Sequence, residues 1–203
     1  MGDPTLSAQE AAAAIRSLQD ADAMIRRRTA GLMWMIWGLV APAIFASYGF
    51  ASAADPQGLW WRLLWLPWAA AGVGATVALW RSAGLAMRTR ERPPRAEVAW
   101  HVGLFVVLVV GSAVLVQALG APVSVPAAVL AALGVASMLL GAFGLLARDA
   151  VERRASVAAG ALLVAAAAAC ALSGTGAQLH FVVGALASGL AFYGAGVLLA
   201  MRG

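Results

Sequence analysis

The sequence contains no lysine: all 14 of its basic residues are arginine. A retinal Schiff base and every other lysine-imine chemistry are therefore excluded. Charge of either sign is scarce, at 11% of the 203 residues, where soluble domains carry roughly 25%. Cysteine occurs once, as Cys170 inside an alanine run. An intramolecular disulfide is excluded, and the thiol reads as a small buried hydrophobe with nothing beside it to activate it. The alternation of a membrane β-barrel is absent as well.

Catalytic signatures are equally sparse. There is no H-E-x-x-H for zinc and no G-x-S-x-G nucleophile elbow, and Ser112, Ser137 and Ser188 have no adjacent general base. Gly72-Val73-Gly74 and Gly174-Thr175-Gly176 lack a following phosphate-binding pattern. No enzyme is expected and no catalytic residue is assigned. Asp55, Glu91, Asp149 and Glu152 fall between apolar runs and Glu97 opens one. A proton relay or carboxylate cation site at mid-bilayer therefore has no carrier.

What the chain does have is apolar surface: 63% hydrophobic residues and a mean hydropathy of +0.85. A bilayer core of about 30 Å needs about 20 apolar residues as helix, and six runs meet that length: 31–51, 59–79, 98–119, 125–146, 156–172 and 179–201. The expected fold is an all-α integral membrane protein, a six-transmembrane-helix bundle (31–203) preceded by an amphipathic N-terminal helix and an Arg-rich junction (1–30).

Arginine placement orients the bundle, because positive residues in short loops stay on the cytoplasmic side. With the N-terminus inside, Arg16, Arg26, Arg27 and Arg28 precede the first helix. Arg81, Arg88, Arg90, Arg92 and Arg95 follow the second, Arg148, Arg153 and Arg154 follow the fourth, and Arg202 ends the chain. Arg62 alone falls outside. The expectation is a multi-pass protein of the cytoplasmic membrane with both termini cytoplasmic. Its arginines, Arg26 to Arg28, Arg88, Arg90, Arg92, Arg95, Arg153 and Arg154 among them, contact anionic lipid headgroups. The basic residues form short clusters between apolar runs, so nucleic acid is not an expected partner. The first apolar run exceeds the 7 to 15 residues of a signal-peptide core, and it reads as a retained helix.

Ahead of the membrane, Ser7-Ala8-Gln9-Glu10 is a capping box that starts a helix at Ala8. Ala11, Ala14, Ile15, Leu18, Ala21 and Ile25 recur at spacings of three and four, while Arg16–Asp20 and Asp22–Arg26 are i,i+4 pairs on the polar side. Such a helix can lie on headgroups, pair with a copy of itself, or dock on another protein. The apolar face is mostly alanine and its acids repel anionic lipid, which favours protein contact. The candidate docking face is Ala11, Ile15, Leu18 and Ile25.

Two further sites are open to the sequence. Pro42 and Pro67 interrupt the first two membrane helices, and with Trp37, Trp65 and Trp68 they outline a candidate cavity for a small molecule or lipid. His101 and His180 invite a haem or metal reading. In the six-helix topology they sit at opposite membrane faces, so they cannot share one cofactor, and none is expected. Small residues mark helix contacts: Gly134, Ser137, Gly141 and Gly144 on the fourth helix, and Gly184, Ala187, Ser188 and Ala191 on the sixth. Ala165 to Ala169 thin the fifth, and the last three helices are expected to close tightly on one another, the alternative use of such stripes being to pair with a second copy of the chain.

The order of parts, with Arg26-Arg27-Arg28 followed by Trp34-Met35-Ile36-Trp37-Gly38, resembles a loose class of small polytopic prokaryotic membrane proteins with a cytosolic N-terminal helix. That resemblance implies a layout and no activity. The function expected from the residues is a non-enzymatic regulatory or scaffolding membrane subunit that docks a partner, or a copy of itself, through its N-terminal helix. The alternatives are a transporter or lipid-binding protein and, third, a haem or metal protein.

Overall fold

A computed structural model describes residues 7–55, 63–86, 103, 124–143, 150–174 and 176–202. The long elements among them are five helices: α1 (Ala8–Ala54), α2 (Trp65–Ala86), α3 (Val125–Ala142), α4 (Ala150–Ser173) and α5 (Ala177–Met201). The protein is thus all-α, and α1, α3, α4 and α5 are long and apolar enough to cross a membrane. α2 has 22 residues, a sufficient length, but Trp65, Pro67, Trp68, Trp80 and Arg81 dilute its apolar character. The third apolar run, 98–119, lies outside the described residues apart from Gly103.

The largest departure from expectation is α1. The N-terminal helix and the first membrane helix are one element of 47 residues, about 70 Å long at 1.5 Å per residue. The capping box opens it: the Ser7 hydroxyl accepts from the Glu10 N–H at 3.2 Å, and the Ser7 N–H donates to Glu10 Oε2 at 2.8 Å. Nothing between Ala21 and Leu32 stops a helix. The junction holds no proline and one glycine, and arginine is a good helix former.

α1 packs antiparallel to α5, and the contact is a set of notches and knobs that alternate between the two helices. Gly31 faces Gly196 and Ala200, Gly38 faces Tyr193, and Gly49 faces Phe181. In return Met35 fills the notch at Gly196, Pro42 that at Gly189, and Phe45 that at Gly184. A methyl group on Gly31 would stand 2.7 Å from the Gly196 carbonyl oxygen, and one on Gly196 would stand 2.6 Å from that of Gly31. Only glycine permits such an approach, and close approach is how helices associate where apolar burial gives little driving force.

α3 and α4 form a second antiparallel pair. Gly134 and Gly160 meet backbone to backbone, Gly141 rests on Ser156 and the Arg153 carbonyl, and the buried Ser156 hydroxyl donates to the Ser137 carbonyl at 2.8 Å. The stripe of Gly134, Ser137 and Gly141 is thus spent inside the chain, while Gly144 lies outside the described residues. The expected tight closure of the last three helices is found for α3 and α4, but α5 turns its closest face to α1. Gly184 is filled by Phe45 of α1, and Ala187, Ser188 and Ala191 are buried. Phe45, Leu130, Leu163, Phe181 and Phe192 form the core among alanines, and α2 packs on α1. Gly174, at φ +60°, carries the chain out of α4 in the left-handed conformation that suits glycine.

Candidate functional site

The two antiparallel pairs share their ends. Ser124 opens α3, Ser173 closes α4 and His180 lies in the first turn of α5. The His180 ring, 6% exposed, joins all three, with Nδ1 2.5 Å from Ser124 Oγ and Nε2 3.4 Å from Ser173 Oγ. The Ser173 hydroxyl donates to the Cys170 carbonyl at 3.0 Å, so towards His180 it accepts. With the ring proton on Nε2, Nδ1 accepts from the Ser124 hydroxyl and both contacts are satisfied at once. Ser124 stands at the N-cap of α3 without a side-chain cap bond; its hydroxyl serves His180 instead.

Around this knot, Gln178 Nε2 donates to Ser52 Oγ at 3.2 Å, Trp68 Nε1 donates to Ser47 Oγ at 3.0 Å, and Tyr48 stacks on Phe181. One end of the bundle is therefore polar. Asp55 is its one charged residue among those described, and it is hydrogen-bonded through its N–H to the Ala51 carbonyl.

The other end is cationic. Arg26, Arg27 and Arg28 lie on α1, Arg81 on the last turns of α2, Arg153 and Arg154 on the first turn of α4, and Arg202 beyond α5. Arg26 and Arg27 are half-buried, while Arg28, Arg153 and Arg154 are exposed. Arg88, Arg90, Arg92 and Arg95 lie outside the described residues, as does His101.

Beyond this end α1 continues as the predicted docking helix. Ile15 is 56% and Leu18 37% exposed, while Ala11 and Ile25 are half-buried. Two expectations about its polar side are corrected. Asp22 is 2% exposed and so does not lie on a solvated face, and Arg16 Nε donates back to the Ala12 carbonyl at 3.3 Å rather than pairing with Asp20. The covered side of α1 around Asp22 leaves Ile15 and Leu18 as the open part of the face.

The residues of the candidate cavity are spread over three surroundings. Trp65 and Trp68 are 45% and 41% exposed, and Pro67 between them is exposed too. Trp37 is half-buried against α2 beside Gly72, and Pro42 packs on Gly189 of α5. Sequence reasoning anticipated none of Ser124, Ser173 or the Gly31–Gly196 contact. No spacing signals the first two, 49 residues apart by their numbers. The third had a signal in the heptad separations Gly31 to Gly38 and Gly189 to Gly196. Among the described residues no three His, Cys, Asp or Glu side chains form a metal-binding group. No protein-family model, no curated protein and no solved structure matches the chain.

Proposed function

We propose that this protein is a non-enzymatic regulatory or scaffolding subunit of a prokaryotic cytoplasmic membrane, with six membrane helices and both termini cytoplasmic. It docks a protein partner, or a second copy, through the N-terminal part of α1. The observation that carries this reading is the continuity of α1. A helix of 47 residues is about twice what a 30 Å core accommodates, so its first turns are held rigidly outside the membrane with Ile15 and Leu18 exposed. A rigid extension presenting apolar side chains suits recognition in a helix-binding groove.

The gathering of arginines at the same end supports placing that end at the cytoplasmic face, against anionic lipid. Guanidinium groups match phosphate oxygens in pairs, which favours arginine for this contact.

The test is affinity purification of the intact chain in mild detergent with mass spectrometry of what accompanies it, beside the chain lacking residues 2–25. A specific partner, or a dimer, that is lost on truncation is the expected result. Unchanged partners and unchanged oligomeric state defeat the proposal. A retained small molecule or lipid without any protein partner moves the reading to transport or lipid handling.

A further inference from the structure

α1 and α5 are each interrupted once within their apolar spans, and the two interruptions face each other. In α1, Pro42 has no N–H to give to the Gly38 carbonyl, so one rung of the helical ladder is missing. In α5, Gly189–Tyr193 is a turn of π-helix, where the ladder widens by one residue. A methyl group on Gly189 would stand 3.2 Å from Pro42 Cγ and 3.8 Å from the Gly38 carbonyl oxygen, and Gly38 itself lies on the Tyr193 backbone. Proline and π-turns are the usual places where a helix bends. Here they fall in one plane, 12 residues before the end of α1 and near the middle of α5.

The turns on either side are tied across the pair. On the polar side, Phe45 fills Gly184, Tyr48 stacks on Phe181 and Gln178 holds Ser52, and His180 fastens this half to α3 and α4. On the cationic side, Gly31 meets Gly196 and Ala200, and Met35 fills the notch at Gly196. We propose that α1 and α5 bend together at the plane of Gly38, Pro42 and Gly189–Tyr193, so that α1 is a lever whose fulcrum lies in the membrane and whose arm is the helix preceding it. The half fastened by His180 stays with α3 and α4. The half of α5 beyond Gly189 also packs on α4, with Phe192 and Ala195 in one core with Ala159 and Leu163, so the bend slides it along α4 while the half of α1 carrying Ala8 to Ala41 swings. The bend stands apart from what the arm docks.

A lever makes a quantitative demand. Ser17 lies 25 residues from Pro42 and Arg28 lies 14, so a bend of about 10° displaces them by about 6 Å and about 4 Å at 1.5 Å per residue. The test uses spin-label distances from position 154 on α4 to position 17 and, separately, to position 28. Each pair is introduced as cysteines into the full chain carrying Cys170→Ala, in lipid nanodiscs. In the chain with Pro42 the distributions should be broad at both positions, with a spread larger at 17 than at 28 in about the ratio of the arm lengths. Pro42→Ala, which restores the missing rung, should narrow both. Gly189→Ala, which crowds the Pro42 ring, should narrow them as well and serves if the first variant does not fold. Distributions as narrow with Pro42 as without it overturn the proposal, as does a spread confined to position 17, which would be fraying of the helix end.

Discussion

Gly134 of α3 and Gly160 of α4 meet so closely that a methyl group on either would strike the other's backbone, at 2.8 Å from the Gly160 carbonyl oxygen and 2.5 Å from that of Gly134. Alanine in place of glycine normally stabilises a helix by about 1 kcal/mol; at this crossing the overlap reverses the sign. Gly160→Ala should lower stability by about 1–3 kcal/mol, the usual range for an overfilled contact, and Gly160→Leu by more. Gly74 on α2 has nothing within 4 Å of the added carbon, so Gly74→Ala should be neutral or slightly stabilising. Thermal unfolding of the three variants in one detergent checks the contrast. A Gly160→Ala variant as stable as Gly74→Ala would show that the helices separate at no cost.

His180 and Ser124 belong to different helices and share one hydrogen bond near the bundle end. Removing the Ser124 hydroxyl leaves the buried His180 ring with less than its full complement, a loss of about 1–3 kcal/mol, and removing His180 leaves the half-buried Ser124 at a smaller cost. Removing both should cost less than the sum. In a double-mutant cycle of Ser124→Ala and His180→Ala, the coupling should lie between about 0.5 and 1.5 kcal/mol. Additive effects in the unfolding midpoints would mean that the contact contributes nothing.

How much of this was legible in the sequence follows from where each signal resides. Membrane helices are announced locally, by runs of apolar residues, and α3 begins at the predicted Val125 and α5 ends at the predicted Met201. The capping box was legible for the same reason, since Ser7 and Glu10 are three residues apart. The continuity of α1 was missed because a change in composition at Arg26 to Arg28 reads as a boundary, whereas the backbone there meets no obstacle to remaining helical. Partner choice was the least legible. Glycine notches tell that a helix is approached closely, but the filling of Gly184 by Phe45 depends on complementary shape, which is a property of pairs. The knot of Ser124, Ser173 and His180 is non-local in the same sense.

The start of α1 should respond to acid. The Ser7 backbone N–H holds the Glu10 carboxyl below its ordinary value of 4.5, with the Ser7 hydroxyl adding to the effect. A group whose pKa is depressed in the folded form contributes stability above its unfolded pKa and loses it as pH falls through the folded value. The first turns of α1 should therefore fray as the pH is lowered below the ordinary Glu10 range, with no change between pH 6 and about 8. Amide exchange of residues 8–14 reports this directly. Glu10→Gln should flatten the pH dependence, and a Glu10→Gln chain that still frays on acidification would place its cause elsewhere.

Antiparallel packing of α1 on α5 puts Ser17 and Met201 towards the same end of the bundle, while Gly176, just ahead of α5, belongs to the opposite end with His180 and Ser52. Cys170 is buried and is the chain's one cysteine, so Cys170→Ala leaves a background in which single cysteines can be placed at these three positions. In right-side-out membrane vesicles, an impermeant maleimide should modify a cysteine at 176 and spare those at 17 and 201. In inverted vesicles the pattern should exchange. The arginine-rich end carries Arg26 to Arg28, Arg153, Arg154 and Arg202, and the direction expected in this test follows from the proposed retention of positive charge on the cytoplasmic side. Modification of 17 and 176 from the same side would break the link between the helix pairing and the membrane. Protection of 176 with modification of 17 in right-side-out vesicles would leave the pairing intact and reverse the orientation.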